Sequence, residues 1–352
     1  MQIYLVEPDA QGRVSGGYRY NHGLAEASQH VTLVTTSVPS LHESLDGIAL
    51  EPADWLLLDS LFLEPAGFSA FAAARRTAGC KLGLMLHAFP SFIERADRAD
   101  KPALLDPRPT EQELGLLRQL DVVIGPGPYG PRLLRQSGIE TPALVCPPAW
   151  ASAGPSSLRA RTSESATPLR LLTVGNVTRG KGYQDAIEAL TECRELDWAW
   201  DIVGSLEWDP DWVLELRRRL ARAGLSSRTE FIGQLSPEAT AEYYASSDLF
   251  LLTSFTENHP LVLLEARAHG VPVVAYRVGG VPDIVGDAGL LASPFDVVEL
   301  EVQLRCLLTN ANERARLKHL AFRDGEPVHW SESATCLHEQ LRAFETRSSS
   351  SP

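Results

Sequence analysis

The chain has 352 residues, of which 44% are hydrophobic and 22% charged, and its formal net charge is −13. That length exceeds the size at which one hydrophobic core keeps growing, so two domains are expected. The acidic balance argues against a general nucleic-acid-binding protein, whose surface would be basic. The negative net charge does not favour contact with an anionic membrane, so such contact would need a local basic patch. The sequence contains no run of about 20 apolar residues, so no membrane-spanning helix is expected.

The cysteines and the first residues of the chain indicate the cellular compartment of the protein. The five cysteines are scattered and lack Cys-x-x-Cys spacing, which is typical of thiols in a reducing cytosol. The opening MQIYLVEP has the pattern of a strand and not of a secretory leader. We expect a cytoplasmic protein, with peripheral membrane contact left open.

The first residues predict a strand–helix–strand unit. Strands are expected at residues 2–6 and 31–35, with a helix at 18–27 between them, an order that favours a parallel sheet. Gly16 and Gly17 lie between the first strand and the helix. Glycines there let backbone N–H groups approach a phosphate or a sugar, although a plain tight turn explains them equally well.

Further buried strands are expected at residues 54–59, 81–86 and 121–124, with a helix at 68–78. His87 directly follows one of these strands. Residues at the carboxyl ends of parallel strands line the ligand crevice of open α/β sheets. His87 is therefore a candidate site residue, and a purely structural hydrogen-bonding role is the alternative.

Two polar stretches separate the elements. Residues 94–111 are charged and contain prolines, as in a mobile acceptor-side loop or a solvated one. Residues 151–168, rich in Ser, Ala and Pro, predict a linker between the domains.

A second strand–turn–helix unit follows the linker. A strand is expected at residues 169–176, a turn at 178–182 and a helix from Tyr183 to Leu190. Lys181 stands between two glycines, where it can reach a phosphate as a point charge. The spacing is not that of a P-loop, because no Ser or Thr follows the lysine.

Two glutamates, Glu257 and Glu265, stand eight positions apart around a predicted short helix at 260–269. Asn258 suits its N-cap and Pro260 its first turn. First-turn N–H groups favour an anion. A carboxylate beside that anion, Glu257, suggests a sugar neighbour, and a buried Glu265 needs donors such as a vicinal diol. The alternative is that Glu257 is a cap and Glu265 an exposed helical residue.

The remaining elements complete a second α/β half. Strands are expected at 200–203, 229–232, 249–253 and 271–275, and helices at 211–223, 239–246, 282–285, 299–308 and 332–344.

The segment from Glu257 through Glu265 to the Pro-Val-Val at 272–274 resembles the donor-site signature of the retaining GT-B glycosyltransferases of family 4. The resemblance implies two Rossmann-like domains, at 1–150 and 169–330, facing each other across a cleft. It also implies a C-terminal helix, at about 331–346, that crosses back to the first domain.

The same resemblance implies roles for the site residues. Glu265 would hold the nucleotide ribose, Glu257 and His87 would lie at the donor sugar, and Lys181 would bind the diphosphate. The backbone near Leu235 would read the base. The Gly16-Gly17 pair would face the diphosphate and the acceptor, and donor contacts are expected along Asn258, His259, Pro260 and Leu261.

One position departs from the family pattern. Asn176 stands where the family has a phosphate-binding Arg, and Arg179, three residues later, is a candidate substitute. The second cation of the diphosphate site therefore depends on how far Arg179 reaches.

The resemblance implies a retaining transfer of a sugar from a nucleotide diphosphate sugar to an unidentified acceptor. The nine histidines are dispersed, so we expect no metal and no cofactor. Two alternatives stay open: another sugar-nucleotide chemistry such as epimerisation, and an inactive sugar-nucleotide-binding subunit, which the Asn at position 176 would allow.

Overall fold

The structure is a computed structural model that describes residues 1–10, 15–98, 100–149, 168–323 and 328–348. The chain divides into two compact units. The first comprises Met1–Phe92, Pro107–Ala149 and Val328–Pro352, and the second comprises Ile93–Asp106 and Trp150–Pro327. The linker predicted at 151–168 lies outside the described residues except for Pro168.

The first unit contains a six-stranded parallel sheet in the order β2-β1-β3-β4-β5-β6. Its strands are β1 (Ile3–Pro8), β2 (Val31–Thr36), β3 (Trp55–Asp59), β4 (Lys81–Met85), β5 (Val122–Gly125) and β6 (Ala143–Val145). The helices of this part of the chain are α1 (Gly16–Ala27), α2 (Leu41–Asp46), α3 (Pro65–Ala78), α4 (Pro90–Asp97), α5 (Glu111–Leu117) and α6 (Tyr129–Gln136). Strand β3 is buried along its whole length, as expected where helices cover both faces of a parallel sheet.

The second unit repeats the architecture with strand order β12-β11-β10-β7-β8-β9, again all parallel. Its strands are β7 (Leu169–Val174), β8 (Trp198–Val203), β9 (Thr229–Gly233), β10 (Leu249–Leu252), β11 (Val273–Tyr276) and β12 (Gly289–Ala292). Its helices are α7 (Tyr183–Glu192), α8 (Pro210–Ala223), α9 (Pro237–Ser246), α10 (Leu261–Ala268), α11 (Val281–Val285), α12 (Val297–Thr309) and α13 (Ala311–Arg323).

The last helix, α14 (Trp330–Ser348), belongs to the first unit. Leu337 and Leu341 are fully buried in the same cluster as strand residues of β1 and β3. The Trp330 ring lies so close to α1 that a Cβ on Gly23 would come within 2.3 Å of it. Glycine is therefore the residue that lets the two helices approach.

The stretch at 94–111 differs from the loop expected from its charge. Its first part completes α4, and Lys101–Leu104 forms a 3₁₀ turn. Ala96 and Leu104 are buried in the core of the second unit, and the Lys101 Nζ lies 2.6 Å from an Asp185 carboxylate oxygen. Apolar burial and a half-buried ion pair thus decide the placement of Ala96, Lys101 and Leu104, and the expectation of a solvated loop is wrong for these residues.

Candidate functional site

In each sheet, the strand order reverses at one place. In the second unit this place lies between β7 and β10, and in the first between β1 and β3. Open α/β sheets bind ligands outside the carboxyl ends of the strands at such a switch point. Apart from Leu235, which follows β9, the predicted site residues of the second unit follow β7 and β10, so the topology brings them together.

The lysine turn is attached directly to the segment that follows β10. The Phe255 N–H donates to the Gly180 carbonyl at 2.8 Å, and the Thr253 hydroxyl donates to the Lys181 carbonyl at 3.1 Å. Gly182 has a φ of +66°, and a Cβ there would lie 2.0 Å from the Thr253 carbonyl oxygen. Position 182 therefore requires glycine for both conformation and space, and the turn is held in one register.

Lys181 and Glu257 meet in this arrangement. The Lys181 Nζ lies 2.6 Å from Glu257 Oε1, and the two side chains are 32% and 11% exposed. The Glu257 carbonyl accepts the Gly280 N–H at 3.0 Å. A Cβ on Gly279, whose φ is +52°, would lie 1.6 Å from that carbonyl oxygen. The Gly279-Gly280 pair thus fixes the backbone beneath the carboxylate that pairs with the lysine.

Helix α10 begins one residue later than predicted. Its N-cap is Pro260, with φ −70° and ψ 107°, whose side chain makes no capping hydrogen bond. The prediction that Asn258 caps it is wrong, because the proline occupies the extended cap position itself. Leu261 is the first helical residue and is partly exposed, and the helix ends at Ala268 before Gly270, whose φ is +65°. The uncapped first-turn N–H groups keep the potential for an anion.

His259, within the same segment, is largely buried, and its Nδ1 has no hydrogen-bond partner among the described residues. Burial lowers the pKa of His259 from 6.5 to about 4, and the nearby Asp283 offsets part of that effect. The imidazole is therefore neutral near pH 7 and does not supply a second positive charge beside Lys181.

Glu265 lies on α10 and is partly buried. The Tyr244 hydroxyl donates to Glu265 Oε2 at 2.9 Å, and the Tyr244 ring stacks on Phe250 and His269. The fully buried tyrosine fixes the orientation of the carboxylate. Glu265 is thus not the freely exposed helical residue of the alternative interpretation, and its ribose role stays a prediction.

The candidates for the second cation lie elsewhere. Asn176 accepts the Ser205 N–H through Oδ1 at 3.3 Å. The Arg179 Nε lies 3.0 Å from Asp209 Oδ2, and its guanidinium lies 4.7 Å from the Trp212 ring centroid. Arg179 is thus engaged at the start of α8. Its substitution for the family Arg stays a prediction that requires these contacts to break.

Asp209 and Asp211 form an Asp-x-Asp triplet, a pattern whose oxygen ligands suit a divalent cation. Both oxygens of Asp209 are already engaged, one by Arg179 and one by the Trp212 N–H at 3.0 Å. Within the described ranges, no group of three or more His, Cys, Asp or Glu side chains could hold a metal ion. Leu235, expected near the base, packs half-buried against the core of its unit.

The first unit holds His87 at its own switch point. His87 follows β4, and the Ser60 hydroxyl oxygen accepts its backbone N–H at 3.1 Å. Gly16 and Gly17 are the first two residues of α1, not a preceding loop, with Ser15 as the N-cap. A Cβ on Gly17 would lie 3.1 Å from the His87 ring. The structure therefore places Gly17 directly against His87.

Three buried polar residues in this region were missed from the sequence: Glu7, Asn21 and Asp59. Their side chains are 1%, 0% and 2% exposed, and they form a hydrogen-bonded cluster with His87. Glu7 and Asp59 each lie near the carboxyl end of a predicted strand, the same signal that singled out His87. Asn21 carries no such signal, because it lies inside a helix.

Comparison with known proteins finds similarity to one family. Residues 156–323 match the model of the glycosyl transferases group 1. Most of the second unit therefore resembles a glycosyl transferases group 1 domain. A sulfoquinovosyl transferase, SQD2, from Arabidopsis thaliana is 36% identical over 115 residues, which are 31% of this chain and 22% of that protein. A D-inositol 3-phosphate glycosyltransferase from Rhodococcus erythropolis is 35% identical over 135 residues, 38% of this chain and 30% of that protein. The matches thus span less than a third of either relative.

Solved structures match almost the whole chain at low identity. HepE from Anabaena, crystallised with UDP and glucose, has a TM-score of 0.71 at 19% identity and covers 97% of this chain and 100% of its own. Sucrose-phosphate synthase from Thermosynechococcus elongatus has a TM-score of 0.72 at 20% identity, covering 99% and 100%. These likenesses confirm the predicted GT-B fold. No helix in the described ranges is both long and apolar enough to span a membrane.

Proposed function

We propose that this protein transfers a sugar from a nucleotide diphosphate sugar to an acceptor, with retention of configuration and without a metal ion. The observation that carries the proposal is the 2.6 Å pair between Lys181 and Glu257 at the switch point of the second sheet. A cation and a carboxylate held side by side match a ligand that joins a phosphate to a hydroxylated ring.

Lys181 is the residue we assign to the diphosphate. Its side chain is one-third exposed, and its backbone is tied to the segment leading to α10, whose N-cap Pro260 makes no side-chain capping hydrogen bond. An ammonium and free helix amides both stabilise an anion. Preorganised donors of this kind are typically worth about a hundred- to a thousandfold each in rate, so they can offset the charge of the leaving diphosphate without a metal.

Glu257 and Glu265 are assigned to hydroxyl groups of the donor. Glu257 pairs with Lys181, so a sugar attached to a lysine-bound phosphate would lie near it. Glu265 has one oxygen bonded to Tyr244, and we assign it to accept from a ribose diol. Among solved neighbours, HepE was crystallised with UDP-glucose, which supports a nucleotide diphosphate sugar as the donor. His87, Gly16 and Gly17 keep the predicted sugar and phosphate roles.

The test begins with a thermal-shift screen of nucleotides and nucleotide sugars, since a ligand at a hundred times its dissociation constant adds about 2.7 kcal/mol of stability. Donors that stabilise the protein are then incubated with sugar and lipid acceptors, with and without EDTA, and the products are analysed by mass spectrometry and anomeric NMR. Retained configuration and EDTA resistance are expected. Conversion of the donor sugar without an acceptor would identify an epimerase instead, and binding without turnover would identify an inactive subunit.

Two lysine variants make the test specific. Lys181→Ala should abolish most turnover. Lys81→Ala is the matched control, because Lys81 is 29% exposed and also ion-paired, to Glu345 at 3.4 Å, but lies at the amino end of its strand. Equal losses in both variants would contradict the assignment of Lys181 to the diphosphate.

A further inference from the structure

A buried polar cluster occupies the switch point of the first sheet. Glu7 lies in β1, Asp59 ends β3 and Asn21 lies in α1, and none is more than 2% exposed. Two carboxylates at this depth are costly unless donors satisfy them. The cluster must therefore be hydrogen-bonded in a definite pattern.

The pattern fixes the orientation of the Asn21 amide. Its Nδ2 lies 3.1 Å from Glu7 Oε2 and 2.8 Å from Asp59 Oδ2. Asp59 also accepts the Leu61 N–H at 2.9 Å through its other oxygen. A carboxylate accepts, so the amide side that faces these oxygens must be the NH₂ group. Exchanging the amide nitrogen and oxygen would bring an acceptor against two acceptors.

The remaining side of the amide then determines the His87 tautomer. Asn21 Oδ1 lies 2.8 Å from His87 Nε2, and a carbonyl oxygen can only accept. Nε2 must therefore carry the proton. A neutral imidazole has one N–H, which leaves Nδ1 as an acceptor.

Further contacts hold the ring in this place. The Ser60 hydroxyl oxygen accepts two backbone N–H groups, from His87 at 3.1 Å and from Ala88 at 3.2 Å. The Tyr20 ring meets the imidazole edge to face at 5.3 Å. The side chain keeps 13% exposure, and Nδ1 has no hydrogen-bond partner among the described residues. Nε2 is thus already hydrogen-bonded to Asn21, and Nδ1 can accept a hydrogen bond from a ligand.

We propose that Asn21, held by Glu7 and Asp59, is a positioning residue that locks His87 in the Nε2–H tautomer, so that Nδ1 accepts a hydrogen bond from a hydroxyl of the donor sugar. The inference rests on the proposed function for the identity of the ligand, but the tautomer is a property of the protein alone. A phosphate or carbonyl oxygen offers no proton to Nδ1, so this nitrogen selects for a hydroxyl.

Charge around the ring keeps it neutral. Burial lowers the pKa of His87, and Asp59, 3.7 Å from Nε2, offsets part of that effect. The other titratable groups facing the cluster are Glu7, His22 and Tyr20. Burial raises the pKa of Glu7, and the Asn21 and His22 contacts oppose that rise. The nearest partner of His87 Nε2 is thus the neutral Asn21 amide, at 2.8 Å, with Asp59 farther away at 3.7 Å.

The test is long-range ¹H–¹⁵N NMR of histidine-labelled protein without ligand, with His87→Gln used to assign the resonance. We expect Nε2 to be protonated and Nδ1 bare in the wild type. In Asn21→Ala, the amide that selects the tautomer is lost, so both tautomers should be populated and the pKa of His87 should rise toward that of a carboxylate-paired histidine. A wild-type Nδ1–H tautomer would overturn the proposal, and this result needs no variant to fold.

His22→Gln is the matched control. His22 is the next residue on the same helix and lies 2.9 Å from Glu7, but only Asn21 of the two contacts His87. The control should keep the wild-type tautomer and rate, whereas Asn21→Ala should lose about tenfold in turnover at unchanged UDP affinity, the scale of one hydrogen bond. An unchanged tautomer in Asn21→Ala would refute the positioning role. A locked tautomer in a protein that transfers no sugar would refute the proposed function alone.

Discussion

The ion pair between Lys181 and Glu257 predicts that a nucleotide diphosphate has to compete with Glu257 for the lysine. The ammonium lies 2.6 Å from the carboxylate, and the Lys181 side chain is 32% exposed. Exposed pairs contribute about 0.2–1 kcal/mol after solvent screening, and this pair, with its carboxylate only 11% exposed, should reach the upper end of that range. Glu257→Gln releases the lysine, so UDP should bind up to about fivefold more tightly.

The opposite change should have the opposite sign. Lys181→Ala removes the cation and should weaken UDP binding by roughly 1.5–3 kcal/mol, the range for hydrogen bonds to charged groups. In the Lys181→Ala background, Glu257→Gln has no lysine to release. It should therefore increase UDP affinity less than it does in the wild type. The difference between the two gains is the coupling energy of the pair.

Isothermal titration with UDP of the four proteins measures this cycle, and Lys81→Ala reports the effect of removing any ion-paired lysine. Equal gains from Glu257→Gln with and without Lys181 would show that UDP does not draw the lysine away. Weaker UDP binding by Glu257→Gln would show that the carboxylate itself contacts the nucleotide, and the assignment of Glu257 to the sugar would then be wrong.

Three further predictions address backbone, protonation and orientation. Gly279→Ala should lower the free energy of unfolding, measured by urea titration, by more than about 2 kcal/mol. Its φ is left-handed, and the new Cβ would lie 1.6 Å from the Glu257 carbonyl oxygen. The control, Gly224→Ala, at φ +72° with nothing within 4 Å of the new Cβ, should lower it by only about 1 kcal/mol. The pKa of His259 is about 4 in the folded protein and 6.5 ordinarily, so the unfolded chain binds the extra proton between those values and stability falls as the pH drops from 6.5 to 4. His259→Gln should remove up to about 3 kcal/mol of that fall, and parallel pH profiles of the two proteins would refute the burial argument. Tyr244→Phe removes the hydroxyl that donates to Glu265 and should weaken uridine and UDP equally, by about 1 kcal/mol in titrations; a loss confined to UDP would contradict the ribose role.

Much of the fold follows from local sequence alone. The apolar runs at 54–59, 81–86 and 169–176 were predicted as buried strands, and the structure forms strands at Trp55–Asp59, Lys81–Met85 and Leu169–Val174. A parallel sheet follows from their alternation with helical segments. Of the candidate site, Lys181 between two glycines and the two glutamates around a short helix were predicted from their spacing, and the family resemblance assigned their roles.

Only the tertiary structure determined which side chains of the candidate site contact each other. Lys181 and Glu257 are 76 positions apart, and they meet because β7 and β10 are neighbours in the sheet, which no local pattern specifies. Asn21 is an ordinary helical residue in the sequence and gains its role from a carboxylate 38 positions away. Residues 93–106 join the second unit although their charge suggests a solvated loop. Local propensity sets φ and ψ, whereas strand order and burial determine which side chains come within hydrogen-bonding distance.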